Sequence, residues 1–216
     1  MAEVDRLSTG ISGLDEVLRG GLLSGRSYML RGGPGTGKTV LGYHFLTAGR
    51  DRGESALFVN FEEPTARVRE NAASLGFDLD GIEFLDLSPG ADVFAEDRTY
   101  GVFAADEVES EEVTRAIVDA VDRVEPDRVF VDPLTQFRHL VRDDYQFRRE
   151  AASFMRYLTE AGATVLFSTQ PGTTGSVEDL EFLCDGSVHL SHAEKGRTVE
   201  VTKFRGSGFQ PGAHTV

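Results

Sequence analysis

Apolar positions along this chain follow two rhythms. Four short runs are nearly continuous in apolar residues: "SYMLRG" (27–32), "ALFVNF" (56–61), "RVFVD" (128–132) and "TVLFSTQ" (164–170). A fifth, "IEFLDL", covers 82–87. Continuous apolar runs of this length predict strands covered on both faces. Between them the apolar positions recur at helical spacing. "KTVLGYHFLTAGRDRG" follows the first run, and "PTARVRENAASLG" follows the second, with Pro64 at a helix start and Gly76 at its end. "SEEVTRAIVDAVDRV" precedes the third, with Ser110 as the expected N-cap and acids in the first turn. "DYQFRREAASFMRYLTEAG" precedes the fourth. Strands alternating with helices predict a mostly parallel central sheet flanked by helices.

After Gly186 the pattern changes to short alternating segments, "SVHLSH", "TVEVTKF" and "AHTV", separated by turn residues. These predict a C-terminal antiparallel β extension of the sheet. The stretch 91–112 holds eight acids and one base, Arg98, and reads as a solvated loop leading into a helix. No internal repeat or linker interrupts the pattern. The expectation is one α/β domain over residues 1–216.

Composition narrows the function classes. The chain carries 36 acids against 22 bases, a formal net charge of −14. At long range such a chain repels nucleic acid and anionic membranes. Nineteen of the bases are arginine, and the lysines are Lys38, Lys195 and Lys203. An acid-rich, lysine-poor surface suits a high-salt cytoplasm and a halophilic source; a genome favouring arginine codons gives the same lysine shortage. One cysteine, Cys184, excludes an intrachain disulfide and reads as core. The opening "MAEVDRLSTG" has no basic stretch followed by an apolar run, and no apolar stretch approaches the roughly 18 residues of a membrane span. A cytoplasmic location with no membrane contact is expected.

The clearest chemistry lies in "GGPGTGKT", Gly32, Gly33, Pro34, Gly35, Thr36, Gly37, Lys38 and Thr39, with Val40 continuing into the helix. It matches the phosphate-binding pattern G-x-x-x-x-G-K-[ST], between a predicted strand and a predicted helix as that pattern requires. Its glycines let consecutive N–H groups face phosphate oxygens, Lys38 reaches the β and γ phosphates, and the Thr39 hydroxyl ligates Mg²⁺. ATP and Mg²⁺ are therefore the expected ligands.

Three strand ends supply the other candidates. Asp132 closes "RVFVD" and would hold Mg²⁺ through water; an ordinary strand-end acid before proline is the plain alternative. Glu62 and Glu63 follow "ALFVNF" at the edge where parallel α/β sheets bind ligands, so the pair would face the γ-phosphate and activate water. The plain alternative makes them early-turn acids of the next helix. Gln170 ends "TVLFSTQ", which resembles the strand end where recombinases place a glutamine that senses the γ-phosphate; that resemblance implies a sensor, and a polar strand-end residue with no role is the plain alternative.

In combination these segments resemble the KaiC-type ATPases of the RecA superfamily. The resemblance runs from "STGISGLDEVLRGGLLSGRSYMLRGGPGTGKT" through "FVNFEEP" and "VFVDPLTQF" to "VTKFRGSGFQPGAHTV", nearly the whole chain from Ser8 to Val216. It implies a RecA-like P-loop core, commonly a hexameric ring with ATP between subunits. It also implies that Glu62 and Glu63 are the catalytic carboxylates, with a lean towards Glu63 as the base. Lys203 and Arg205, in "TKFRG", would reach the nucleotide of a neighbouring subunit; without the resemblance they read as a solvated strand edge.

Two departures qualify the resemblance. Tandem members of the family carry two such domains, and this chain carries one. Where clock-type members carry a phosphorylated Ser-Thr pair, Glu181 and Phe182 stand here, which weighs against autophosphorylation. An ATP-driven regulatory switch with an unnamed protein partner is the leading reading. A RecA-like DNA-dependent recombination ATPase is the alternative, but no lysine or arginine occurs from Tyr157 to Glu194, where its DNA loop would lie. The local basic cluster Arg138, Arg142, Arg148 and Arg149 is diluted by Asp143 and Asp144.

The charge balance yields a test. Carboxylate repulsion destabilises the fold in dilute buffer and salt screens it. The melting temperature should rise from low to molar KCl, and a flat or falling trend counts against a halophilic origin.

Overall fold

The computed structural model describes residues 5–91, 105–141, 143–170, 177–193 and 196–215. Lys195, Arg142, most of the acidic stretch (92–104) and the segment after Gln170 (171–176) lie outside them. The elements in chain order are β1 (Arg6–Leu7), α1 (Ser12–Val17), β2 (Leu22–Leu23), β3 (Ser27–Arg31), α2 (Lys38–Arg50), β4 (Ala56–Asn60), α3 (Thr65–Ser74) and β5 (Glu83–Asp86). They continue with α4 (Ala105–Val124), β6 (Arg128–Asp132), a 3₁₀ helix (Leu134–Leu140), α5 (Asp144–Glu160), β7 (Thr164–Thr169) and α6 (Val177–Leu183). The chain closes with β8 (Gly186–Ala193), β9 (Gly196–Phe204) and β10 (Ala213–Thr215).

Eight strands form one sheet in the order β10-β9-β8-β3-β7-β6-β4-β5. The strands from β8 to β5 are parallel to their neighbours, and β8–β9 and β9–β10 are antiparallel. The antiparallel extension is therefore β9 and β10, while β8 joins β3 in parallel. All five residues of β4 and all six of β7 are buried.

Alternation along these strands divides the core in two. Tyr28, Leu30, Phe58, Phe130 and Leu166 face α1, α2 and α3. Met29, Leu57, Val59, Val129, Val131, Val165 and Phe167 face α4, α5 and α6. On the first side α2 lies close to the sheet because Gly42 has no side chain: a Cβ there would sit 2.1 Å from the Phe130 ring.

One expectation changes, and three short elements are added. The helix placed at Ser110 begins at Ala105, so Ser110 lies inside it rather than at its N-cap. The residues 105–109, Ala-Asp-Glu-Val-Glu, contain no Gly or Pro to interrupt a helix. Helix α6 and the pair β1–β2 had no legible pattern, each being shorter than two helical turns or a hydrophobic repeat. Cys184 is fully buried as expected, and burial pushes its thiol up to about 11.

Gly42→Ala tests the close approach of α2. The added methyl overlaps Phe130, and overpacking of this kind costs about 1–3 kcal/mol. Denaturant titration should show a lower midpoint with an unchanged slope; an unchanged midpoint would mean the helix can back away without loss.

Candidate functional site

The loop leaving β3 turns sharply into α2. A Cβ at Gly32 would lie 2.4 Å from the Leu190 carbonyl oxygen and 2.7 Å from Thr36 Oγ1, so only glycine fits. Gly37, the N-cap of α2, has φ +102°, a left-handed conformation that glycine adopts without strain. The Thr36 hydroxyl donates to the Gly33 carbonyl at 2.9 Å. Lys38 Nζ donates to the carbonyls of Gly32 at 2.8 Å and Gly33 at 3.0 Å, which folds the side chain back over the loop. Burial lowers the Lys38 pKa, and the Asp132 and Glu62 carboxylates oppose that shift.

Asp132, at the end of β6, joins three elements. Thr39 Oγ1, in the first turn of α2, donates to Asp132 Oδ2 at 2.6 Å. Ser168 Oγ of β7 donates to Oδ1. Withdrawal from water raises the Asp132 pKa, and the two hydroxyl donors act the other way. Thr39 and Asp132 together present the hard oxygens that suit Mg²⁺, which takes one or two protein oxygens and completes its shell with water and phosphate. Among the described residues no group of three or more His, Cys, Asp or Glu side chains forms a metal cage.

Glu62 and Glu63 occupy the turn between β4 and α3. The N-cap of α3 is Pro64, so the pair precedes the helix and is not part of its first turn. That turn is fixed at both ends. Asn60 donates to the Glu63 carbonyl and accepts from the Glu62 N–H at 3.3 Å. Asp86 of β5 accepts from the Thr65 N–H at 2.7 Å and the Thr65 hydroxyl at 2.9 Å. The two carboxylates then diverge. Glu63 Oε2 accepts from Asn71 Nδ2 of α3 at 2.9 Å. Glu62 Oε1 accepts from Gln170 Nε2 at 2.5 Å and from Gln136 Nε2 at 3.2 Å. Glu62 is the one of the two whose charge bears on both Lys38 and Asp132.

In space β4 does not adjoin β3: β7 and β6 lie between them. At about 4.8 Å per strand, Glu62 starts roughly 14 Å from the P-loop strand. The gap is spanned by Ser168, Gln170 and Asp132 from the two intervening strands. A cavity of about 250 Å³ is bordered by Thr39, Asp132, Glu62 and Glu63. It shares Thr39, Val40 and Leu75 with a larger cavity of about 720 Å³, lined also by Lys38, His44, Phe77 and Arg197. His44 meets Phe77 edge-on, with ring centroids 4.7 Å apart, and burial keeps its pKa below the usual range.

Arg197, beside the loop and close to Gly37, went unnoticed in the sequence. It lies 160 positions beyond Gly37, and only the β8–β9 hairpin carries it back, with His192 opposite Arg197. No local signal marks it. Gln136 was missed for a similar reason, since it lies in a 3₁₀ helix with no motif of its own.

Lys203 and Arg205 are far from this chain's own loop. Lys203 pairs with Ser187, which pairs with Met29, and the Arg205 N–H donates to the Asp185 carbonyl at 2.8 Å. These positions lie towards the entry end of β3, whereas the loop leaves its exit end. Side chains of both residues cap the end of α6: Lys203 Nζ donates to the carbonyls of Glu181 and Phe182, and Arg205 Nη2 to that of Phe182 at 3.1 Å. Glu181 pairs with Arg31 at 3.1 Å, and Phe182 is exposed. Of the basic cluster, Arg138 pairs with Asp144, Arg148 with Asp179 and Arg149 with Glu150. Among the described residues no helix is long and apolar enough to cross a membrane.

Comparison with known proteins gives the family. A family model described as the KaiC ATPase matches residues 7–216. A circadian clock oscillator protein KaiC of Parasynechococcus marenigrum is 34% identical over 227 residues, covering 97% of this chain and 42% of that protein. A UPF0273 protein of Methanopyrus kandleri is 38% identical over 229 residues, covering 98% of this chain and 88% of the relative. Another, from Pyrococcus furiosus, is 30% identical with 98% and 90% covered. The chain thus spans about two fifths of the clock proteins it matches and most of the UPF0273 proteins. With this loop geometry, this sheet order and a family match over residues 7–216, the chain belongs to the KaiC-type ATPases of the RecA superfamily.

Proposed function

We propose that this chain binds ATP with Mg²⁺ in the cleft above β3, β7 and β6 and hydrolyses it as one ATPase unit. The observation that carries the reading is the convergence of Lys38, Thr39, Asp132 and Glu62 around adjoining cavities. An incoming triphosphate lies along the N-terminus of α2, where free N–H groups and the helix dipole favour anions. Lys38 exchanges its loop carbonyls for phosphate oxygens. Thr39 and Asp132 would hold Mg²⁺, which would supply positive charge against the phosphates. The nucleoside lies in the larger cavity, between Arg197 and the Leu75–Phe77 edge.

In the reaction, a water oxygen bonds to the γ-phosphorus. The bond from that phosphorus to the β–γ bridging oxygen breaks, and its electron pair leaves with ADP. The water proton passes to a carboxylate. Glu62 fits that role better than Glu63, because Glu63 is turned towards Asn71 and away from Lys38. This reverses the lean that the resemblance gave.

Lys203 and Arg205 act in a neighbouring copy's site, and the working form is a ring, with a hexamer as the family precedent. Their position towards the entry ends of the strands, away from the loop at the exit end of β3, supports this, since they lie far from the site of their own chain. A regulatory ATP-driven switch in the cytoplasm is the biological role that suits relatives named as circadian clock proteins. Glu181, which the resemblance sets in the place of a phosphorylated pair, is held in an ion pair with Arg31 and does not favour autophosphorylation. A recombination ATPase is not favoured either: no lysine or arginine occurs from Tyr157 to Glu194, and Arg138, Arg148 and Arg149 of the local basic cluster are paired with acids.

Lys38→Ala should abolish binding of a non-hydrolysable ATP analogue in calorimetry; unchanged affinity would dismiss the P-loop assignment. Glu62→Gln should keep affinity while slowing turnover about 10²- to 10³-fold, with a smaller loss in Glu63→Gln. Equal or reversed losses would return the base to Glu63.

Arg205→Ala should bind ATP nearly normally and turn it over at least about 10²-fold more slowly. Mixing Arg205→Ala with Lys38→Ala subunits should restore part of the activity, because a mixed interface pairs an intact loop with an intact arginine. A protein that remains monomeric by light scattering and hydrolyses ATP at full rate would rule out the shared site.

A further inference from the structure

Glu62 lies in an exposed turn, where a free glutamate samples many rotamers. Its Oε1 nevertheless receives two amide donors, Gln170 Nε2 at 2.5 Å and Gln136 Nε2 at 3.2 Å. Among the described residues Oε2 accepts no hydrogen bond. One oxygen is thus held by the protein while the other is left to accept a proton.

The two amides have a shared origin. Gln136 stands four residues beyond Asp132, in the 3₁₀ helix that continues β6. Gln170 stands two residues beyond Ser168, just past the end of β7. The elements that fix the Thr39–Asp132–Ser168 group therefore also fix Glu62. β4, which carries Glu62, has β6 beside it and β7 one strand further on. Each amide reaches the same oxygen from a different strand end.

We propose that Gln136 and Gln170 are positioning residues for hydrolysis. They form a two-amide brace that fixes the Glu62 rotamer and aims Oε2 at the water attacking the γ-phosphate. The inference rests on the ATPase reading above and adds to it. Neither amide needs to touch nucleotide. Their effect passes through Glu62, so it belongs to turnover and not to affinity, and it vanishes when the Glu62 carboxylate is gone.

Methionine matches glutamine in length and lacks the donor. Gln136→Met and Gln170→Met should each lower kcat about 10- to 100-fold with KM for ATP changed by less than about twofold. Single-turnover hydrolysis then closes a double-mutant cycle: in a Glu62→Gln background neither methionine should cause a further loss. A loss in that background equal to the loss in wild type would overturn the brace, as would a rise in KM carrying the whole effect, or wild-type kcat in both variants. The ATPase reading fails separately: a wild-type chain that neither binds nor hydrolyses ATP, or a Lys38→Ala chain as active as wild type, removes it and the brace together. Both substitutions are at partly exposed positions, and equal melting temperatures confirm that packing is intact.

Discussion

The Asp132 carboxylate, held by hydroxyls from Thr39 and Ser168, is the contact on which the arrangement of the site depends. It ties the first turn of α2 to the ends of β6 and β7, so helix and sheet meet at a fixed point. A carboxylate withdrawn from water needs such donors, since leaving it unpaired costs far more than a surface group would. Two hydroxyls meet part of that need and leave the group able to act in turn on a cation. Around this point lie Lys38 on one side and Glu62 on the other, and the charges of all three interact.

The sheet then separates two sets of chemistry. A parallel strand has a direction, and side chains at its exit end cannot reach its entry end. The loop, Asp132, Gln170 and the glutamates gather at the exit ends. Lys203, on the antiparallel strand β9, and Arg205, just past its end, lie towards the entry ends and cap α6. In the proposed ring this separation is useful. Each copy keeps the phosphate-binding parts and offers its cationic parts elsewhere, so that turnover depends on how neighbours meet.

The arginine-heavy composition has a structural side as well. Guanidinium groups close loops by donating to backbone carbonyls. Arg6 reaches Leu18 and Gly21, Arg50 reaches Asp78 and Asp80, and Arg26 reaches Arg205. Arg128 is fully buried. It lies over the Phe45 ring, pairs with Glu54 and donates to the carbonyls of Ser8 and Phe45. A planar group with five donors makes these multiple contacts; a lysine ammonium on a flexible stem makes fewer and holds them less firmly. Many of the arginines are therefore engaged within the chain, tying its loops and strand ends together.

The sequence by itself determined the strand-forming runs, the phosphate loop and the acids at strand ends, because each is a local pattern. Apolar runs record burial on both faces, glycines record backbone conformations and close approaches, and the Gly-Lys-Thr spacing records the first turn of a helix. Strand order was not local. The two strands between β3 and β4, and with them the bridging of Glu62 to the loop by Gln170, Gln136 and Asp132, came from packing between distant segments. Tertiary structure alone decided that Glu62 and Glu63, adjacent in the chain, face different partners, because each follows the hydrogen-bond donor nearest it in space. It also decided that Arg197 sits beside the loop while Lys203, six residues later on β9, and Arg205, just past its end, do not. A strand rises about 3.3 Å per residue, so six positions carry a side chain about 20 Å along it, from the exit ends of the parallel strands towards their entry ends.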